Sequence, residues 1–318
     1  MGAAPEPVPV GVVGVGHLGR HHARLYAANP AARLVAVVDR DLERARAIAA
    51  EYRCEAFDDP LALVGRAAAA SVAVPTVHHR EVAVALLDAG MDVLIEKPLA
   101  RDIQEADAIL EAARRADRLV MVGHTERFNP ALVALTRAVD APRFFEIHRL
   151  AKFSARSTDV DVVLDLMIHD LDLILYLDGT EPVSVDAVGV QALTDKVDIA
   201  NARIRMASGC VANLTASRIS SEPVRRVRVF QSRTYLACDT VAKSVERYHL
   251  ELTPGAAPRI RHDVLPVGEG EPLGNELTSF VESVRTRAVP AVDGEQGKRA
   301  LRLAHRVLES IATGPGAA

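Results

Sequence analysis

Lysine is scarce in this chain, occurring only at positions 97, 152, 196, 243 and 298 while arginine supplies most of the positive charge. One of these lysines stands in Glu96-Lys97-Pro98. An ammonium can give up its proton when it is desolvated near other charges, whereas a guanidinium in practice cannot. In an arginine-biased chain, Lys97 therefore suits a site that handles protons. Pro98 stiffens the backbone behind it and pushes Lys97 towards an extended conformation or, less often, a cis bond. The plainer alternative is a solvated lysine at the end of a strand.

A second group lies in the apolar stretch 162–176, where Asp165 and His169 are four residues apart and so share one helix face. Asp172, three residues past His169, continues that polar stripe among Leu, Ile, Val and Met. Polar groups in such company are costly unless they are paired or used. A histidine oriented by a carboxylate is a proton acceptor suited to neutral pH. The alternatives are a metal site, with His169, Asp165 and Asp172 as ligands, or a satisfied core histidine. No complete metal motif accompanies them.

A third signal is Gly14-Val15-Gly16-His17-Leu18-Gly19, which follows a β-branched run and leads into a helical one. In that context Gly14 makes the tight turn, Gly16 lets the backbone approach a pyrophosphate, and Gly19 lets helix and strand pack closely. With His17 and Leu18, these glycines are the expected phosphate contacts. Asp39, 20 residues after Gly19 at the end of the next strand, is placed to bind the adenosine ribose hydroxyls. Its carboxylate disfavours a 2′-phosphate and so favours NAD, while the adjacent Arg40 leaves NADP open. The competing reading is a ligand-free turn with Asp39 capping a helix.

These groups need a scaffold. From Val8 to about Gly123, β-branched runs alternate with helical stretches, giving strands at Val8–Val13, Leu34–Val38, Ala70–Val74 and Met91–Ile95. The expected fold there is α/β, a doubly wound parallel sheet. Glu96-Lys97-Pro98 then falls at the carboxyl end of a strand, the edge where such sheets bind ligands. Beyond Pro142 the stretches 143–153, 183–194, 199–219, 224–238 and 245–264 read as an antiparallel sheet, interrupted by a helix over 160–177 and closed by helices over 276–287 and 295–312. The expected division is a dinucleotide-binding domain over 1–123 and a substrate-binding and oligomerisation domain over 124–318.

Composition narrows the function classes. The 318 residues are 49% hydrophobic and 25% charged with a net charge of −4, which suits a globular protein and argues against a nucleic-acid binder. The densest basic run, Arg225, Arg226 and Arg228, is interleaved with valines and reads as the solvated side of a strand. Cys54, Cys210 and Cys238 are few, odd in number and far apart, so a reducing cytoplasm is expected. The chain has no apolar run of membrane-spanning length, and its N-terminus lacks the pattern of a signal peptide.

Taken together, these motifs resemble the Gfo/Idh/MocA oxidoreductases over nearly the whole chain. The resemblance rests on Gly14 to Gly19 with His22, on Pro75-Thr76-Val77-His78-His79, on Glu96-Lys97-Pro98, on Gly123-His-Thr-Glu-Arg-Phe-Asn-Pro130, and on Asp165 with His169. It implies a Rossmann domain followed by an open-faced, mainly antiparallel sheet domain, NAD or NADP as cofactor, and sugars or related polyols as substrates. It also implies Lys97, Asp165 and His169 as the catalytic set, with Pro75, Thr76, His79, Glu96 and Lys97 beside the cofactor. Homodimers or homotetramers joined through the sheet are usual in such proteins.

The combination of Gly123–Pro130 with Leu164-Asp-Leu-Met-Ile-His-Asp-Leu-Asp172 is most similar to the branch containing UDP-N-acetylglucosamine 3-dehydrogenases. Arg127, Asn129, Lys152 and Arg156 are then candidates for substrate binding, the three cations for a diphosphate, although each cation also suits an ion pair or a solvated surface. Met167 stands where a glycine is frequent in the family, a departure that bears on substrate approach. The rival readings are a free-sugar or polyol dehydrogenase of inositol type or an aldose oxidoreductase, and a non-catalytic dinucleotide sensor. A sensor would need the glycines and Asp39 but not Lys97, Asp165 and His169.

Overall fold

A computed structural model describes residues 6–153, 160–252, 254 and 257–314. In chain order, the first elements are β1 (Val8–Val13), α1 (Gly19–Ala28), β2 (Ala32–Val38), α2 (Leu42–Tyr52), β3 (Glu55–Phe57), β4 (Ala69–Val72), α3 (His79–Asp88), β5 (Asp92–Glu96), α4 (Ile103–Ala116) and β6 (Val120–Gly123). They are followed by α5 (Pro130–Ala138), β7 (Phe144–Leu150), α6 (Ile168–Asp178), β8 (Pro182–Val190), β9 (Ile199–Met206), β10 (Val211–Ser217), β11 (Val224–Gln231), β12 (Thr234–Asp239), β13 (Ser244–Glu251), β14 (Arg259–Val264), α7 (Pro272–Thr286) and α8 (Gly294–Thr313).

The chain divides into two compact units, Met1–Thr125 with Glu271–Lys298, and Glu126–Gly270 with Arg299–Ala318. In the first, six parallel strands lie in the order β3-β2-β1-β4-β5-β6. Strands covered on both faces must be apolar throughout. Accordingly Val10, Val12, Val37, Ala70, Val72, Leu94, Ile95 and Val122 are wholly buried. The order reverses between β1 and β4, and in sheets of this kind the carboxyl ends at such a switch point are where ligands bind.

The expected boundary after residue 123 places 271–298 in the wrong unit. α7 carries Leu277, Phe280 and Val281 on a buried face, and it packs against α1 and β1 of the first unit. Asn29 Nδ2 donates to Thr278 at 3.1 Å and Thr125 Oγ1 donates to Glu276 at 2.9 Å. Arg287, just past the helix, donates to the buried Asp92 at 2.6 Å. The segment after α7 then lies against β6, where Val122 N–H donates to Val292 O at 3.0 Å. A periodic helix announces that it has an apolar face but not which sheet covers it.

The second unit holds an eight-stranded sheet in the order β14-β13-β12-β11-β7-β10-β9-β8. Its pairs are antiparallel except β7 with β10. Burial alternates residue by residue along β7, as expected of a sheet with one covered face. On that face Phe145, Ile147, Leu214 and Val229 pack in one core with Met167, Leu171 and Ile174. Along the other, Phe144, Phe230, Tyr235, Tyr248 and His262 form a row of ring contacts with centroids 4.4 to 5.6 Å apart.

Arg149, buried on β7, is held by Asp170 at 2.7 Å and by Glu126 at 2.7 Å. Removing one partner of a buried ionic group strands the others away from water. Arg149→Met leaves two acids without their shared cation, and denaturant unfolding is expected to show a loss of about 3–5 kcal/mol.

Candidate active site

The glycine loop joins β1 to α1. Gly14 has φ +85°, and a Cβ built there would lie 2.8 Å from the backbone of Ala73. At Gly19 a Cβ would stand 1.7 Å from the carbonyl oxygen of Gly14. Both positions therefore require glycine for the turn and for close packing. Gly16 differs, because a Cβ there would meet nothing within 4 Å. Its smallness keeps open space at the mouth of the loop, which fits the approach of a pyrophosphate. His17 and Leu18 are exposed on the same loop.

α1 begins without a side-chain cap, whereas Asp41 caps α2 and Asp102 caps α4. A helix N-terminus left uncapped, with its dipole towards the crevice, is a ready anion site. Asp39 lies directly after β2 and ties the loop in place, its carboxylate accepting from Val15 N–H at 3.0 Å and from Arg44 at 3.2 Å. It also accepts from the amide of Asp41 at 3.0 Å. Arg40 is exposed, with its guanidinium 3.4 Å from His78 Nε2. Arg44 is the cation that sequence reasoning missed here, and its place on the first turn of α2 was the available signal.

Pro75 and Thr76 follow β4, and Thr76 opens a short 3-10 turn. His79 is buried at the start of α3, its Nδ1 2.9 Å from the carbonyl of Pro98 and its Nε2 2.9 Å from that of Val74. Burial lowers its pKa, while hydrogen bonds to those carbonyls oppose the shift. This ring fastens the loop after β4 to the loop after β5.

Glu96 ends β5 and is buried, its Oε1 2.9 Å from Nε2 of the buried His22 on α1. Burial pushes its pKa up, but the hydrogen bond and charge of His22, with Lys97 and His79, outweigh that and leave it lowered. Lys97 follows, half-buried, with a cis peptide bond to Pro98.

In the second unit the expected continuous helix over 160–177 is broken in type. Val163–Met167 form a π turn, in which Ile168 N–H reaches back to Val163, and only then does α6 begin. Such widened turns occur often at functional positions. Asp165 lies in this turn and His169 in the first turn of α6, both half-buried. Met167, in the position of the frequent glycine, is wholly buried in the core.

Asp172 does not extend the stripe of Asp165 and His169 as expected. It is buried and accepts from Arg127 Nε at 2.6 Å and Nη2 at 2.8 Å. The Arg127 guanidinium also lies 3.9 Å from the Tyr176 ring. Arg127 thus has the ion-pair role that sequence left open beside diphosphate binding. Asn129 caps α5, accepting from Ala131 N–H at 3.1 Å. Lys152 is exposed, and Arg156 lies outside the described residues. Among the described residues no group of three or more His, Cys, Asp or Glu is placed to hold a metal ion.

Comparison with known proteins agrees with this geometry. Residues 8–124 match the oxidoreductase family with an NAD-binding Rossmann fold, and residues 135–237 match the GFO/IDH/MocA C-terminal domain. The chain belongs to the Gfo/Idh/MocA oxidoreductase family. It is 43% identical to UDP-N-acetylglucosamine 3-dehydrogenase of Acidithiobacillus ferrooxidans over 95% of this chain and 96% of that protein. A solved structure of that enzyme superposes with a TM-score of 0.90 at 41% identity, covering 96% of this chain and 98% of its own. Inositol 2-dehydrogenase of Rhizobium meliloti is 30% identical over 96% of this chain and 97% of that protein. The protein is an NAD(P)-dependent oxidoreductase, and residues 8–124 of its first unit form the NAD-binding Rossmann fold.

Two substitutions probe the nucleotide site. Gly19→Ala places a methyl against the Gly14 carbonyl, and fluorescence titration is expected to show NAD binding weakened about tenfold or more. Asp39→Ser removes the carboxylate after β2. Steady-state kinetics should show KM for NAD raised about tenfold, with the preference for NAD over NADP reduced.

Proposed function

We propose that this enzyme oxidises a secondary hydroxyl of a nucleotide sugar, with UDP-N-acetylglucosamine at carbon 3 as the first candidate substrate. The observation that carries this reading is the 43% identity, spread over 95% of the chain, to the Acidithiobacillus ferrooxidans enzyme. NAD, when bound, supplies the hydride acceptor for the carbinol carbon. The remaining work falls to the chain's own side chains.

In this reading Gly14, Gly16 and Gly19 hold the pyrophosphate and Asp39 the adenosine ribose. Lys97 hydrogen-bonds the substrate oxygen as it becomes a carbonyl. The hydroxyl proton passes to His169, directly or by way of Lys97, and Asp165 orients the imidazole. Half-burial of Lys97, Asp165 and His169 supports this assignment, since such groups are partly desolvated and still reachable. Arg127 and Asn129 act by shaping their segment, leaving Lys152 as the described candidate for a substrate diphosphate.

The second reading, an inositol-type polyol dehydrogenase, is favoured by the 30% identity to the Rhizobium meliloti enzyme. The aromatic row on the uncovered face of the eight-stranded sheet supports assembly into a homodimer or homotetramer, because stacked rings in water are costly to leave bare. Three unpaired cysteines, two of them buried with pKa values pushed up to about 12, suit a cytoplasmic protein. No helix among the described residues is long and apolar enough to cross a membrane.

Screening NAD reduction against UDP-N-acetylglucosamine, free aldoses and inositols separates these readings. Turnover confined to inositols would replace the first with the second. Lys97→Ala is expected to lower kcat by about 10²-fold or more while NAD still binds. Wild-type turnover in that variant would remove Lys97 from the chemistry.

A further inference from the structure

α7 carries an acid into the interior of the first unit. Glu276 is wholly buried, Thr125 Oγ1 donates to its Oε2 at 2.9 Å, and among the described residues its Oε1 has no hydrogen-bond partner. The charge acting on it is that of Glu96 at the end of β5, and Tyr26 on α1 senses Glu276 in turn. Tyr26 is buried and shares its hydroxyl with Ser71 of β4 at 2.8 Å. Glu96 is flanked by His22 of α1, by Lys97 and by His79 of α3.

Two carboxyl groups thus lie in one water-poor region, and of the two it is Glu96 that has the His22 ring and the Lys97 ammonium beside it. Ionising both would set like charges together where water cannot screen them. The pair therefore carries one negative charge, which belongs on Glu96. Burial, then the charge of Glu96, hold the Glu276 carboxyl well above the usual carboxylate range, and the Thr125 hydrogen bond only partly offsets them.

We propose that Glu276 is a positioning residue of the oxidoreductase site, a neutral acid that confines the negative charge to Glu96 between His22 and Lys97. A second charge at Glu276 would set two carboxylates against each other at the end of β5, immediately before Lys97. The proposal rests on the reading of Lys97 as the proton-handling lysine. The claim that Glu276 keeps its proton does not.

Glu276→Gln replaces the neutral acid by a neutral isostere, and Thr125→Val removes the hydrogen bond while leaving the acid. A carboxyl whose folded pKa lies above its unfolded value loses native stability as pH rises from the unfolded pKa towards the folded one. Wild type pays that loss and Glu276→Gln does not. Melting temperatures followed from about pH 5 to about pH 9 should show Glu276→Gln gaining on wild type by about 2 °C or more across that range. Thr125→Val should keep the wild-type slope. A Glu276→Gln deficit that is constant or grows with pH would overturn the proposal, because the native protein would then use the carboxylate charged.

Kinetics give the positioning readout. Near neutral pH, kcat/KM of Glu276→Gln should stay within about twofold of wild type. At alkaline pH, where Glu276 of wild type ionises, the wild-type profile should fall away while that of Glu276→Gln does not, since no second negative charge forms near Glu96. Superimposable pH profiles would reduce Glu276 to packing and overturn the positioning role. Wild type inactive on every sugar tested would be a failure of the functional reading, and the melting curves would then decide on Glu276.

Discussion

The hydrogen-bonded pair of His22 and Glu96 connects the two halves of the nucleotide site. His22 is one turn into α1, whose start is the glycine loop, and Glu96 is the last residue of β5, immediately before Lys97. A contact of 2.9 Å between buried groups thus links the loop expected to hold phosphate to the strand end expected to meet the substrate. Buried charge of this kind costs desolvation energy and adds little net stability. What it supplies is direction, since both groups are buried and hydrogen-bonded to each other, and this ties α1 to the end of β5. His79 does the same for the loops after β4 and β5 through two backbone carbonyls.

The sheet order gives those links their purpose. With strand order β3-β2-β1-β4-β5-β6 and parallel pairing throughout, Gly14, Asp39, Thr76, Lys97 and Thr125 all follow strand ends and so emerge on one edge of the first sheet. The glycines answer a local steric demand at Gly14 and Gly19 and leave open space at Gly16. Asp39 holds the loop by accepting from Val15. It is thereby preorganised with its carboxylate against the turn, so a ribose would meet acceptors already oriented.

Much of this was legible because it is local. The strand β1, the glycine spacing, Asp39 and Lys97 at a strand end all follow from runs of a few residues, and the alternation of β7 and β11 signals a sheet with one covered face. What escaped depends on tertiary context. The short β3 and β6 have too few residues to show a period. The π turn at Val163–Met167 uses the same apolar residues as an α-helix would. α7 is visible as a helix, but only its partners Asp92, Thr125 and Asn29 assign it to the first unit. Glu276 had one faint signal, a charged residue four positions before Phe280 on the apolar face. Arg127 and Asn129 look like binding groups in a list of polar residues, and the structure gives the first an ion pair and the second a helix cap.

The second unit shows why acids on α6 need not be acids of the reaction. Asp170 and Asp172 follow His169 within three residues, and both are buried against arginines, Asp170 with Arg149 and Asp172 with Arg127. Arg149 comes from β7, and Arg127 from the turn before α5, so α6 is clamped to two separate segments of its own unit. A helix held at two points beside its first turn has little freedom to rotate, and the π turn before it sets where Asp165 and His169 emerge. Those two remain half-buried while their acidic neighbours are committed inward. The division separates carboxylates that position the backbone from one that can orient an imidazole. Alternation of charged and apolar residues does not reveal it, because the partners come from β7 and the turn before α5, outside the helix itself.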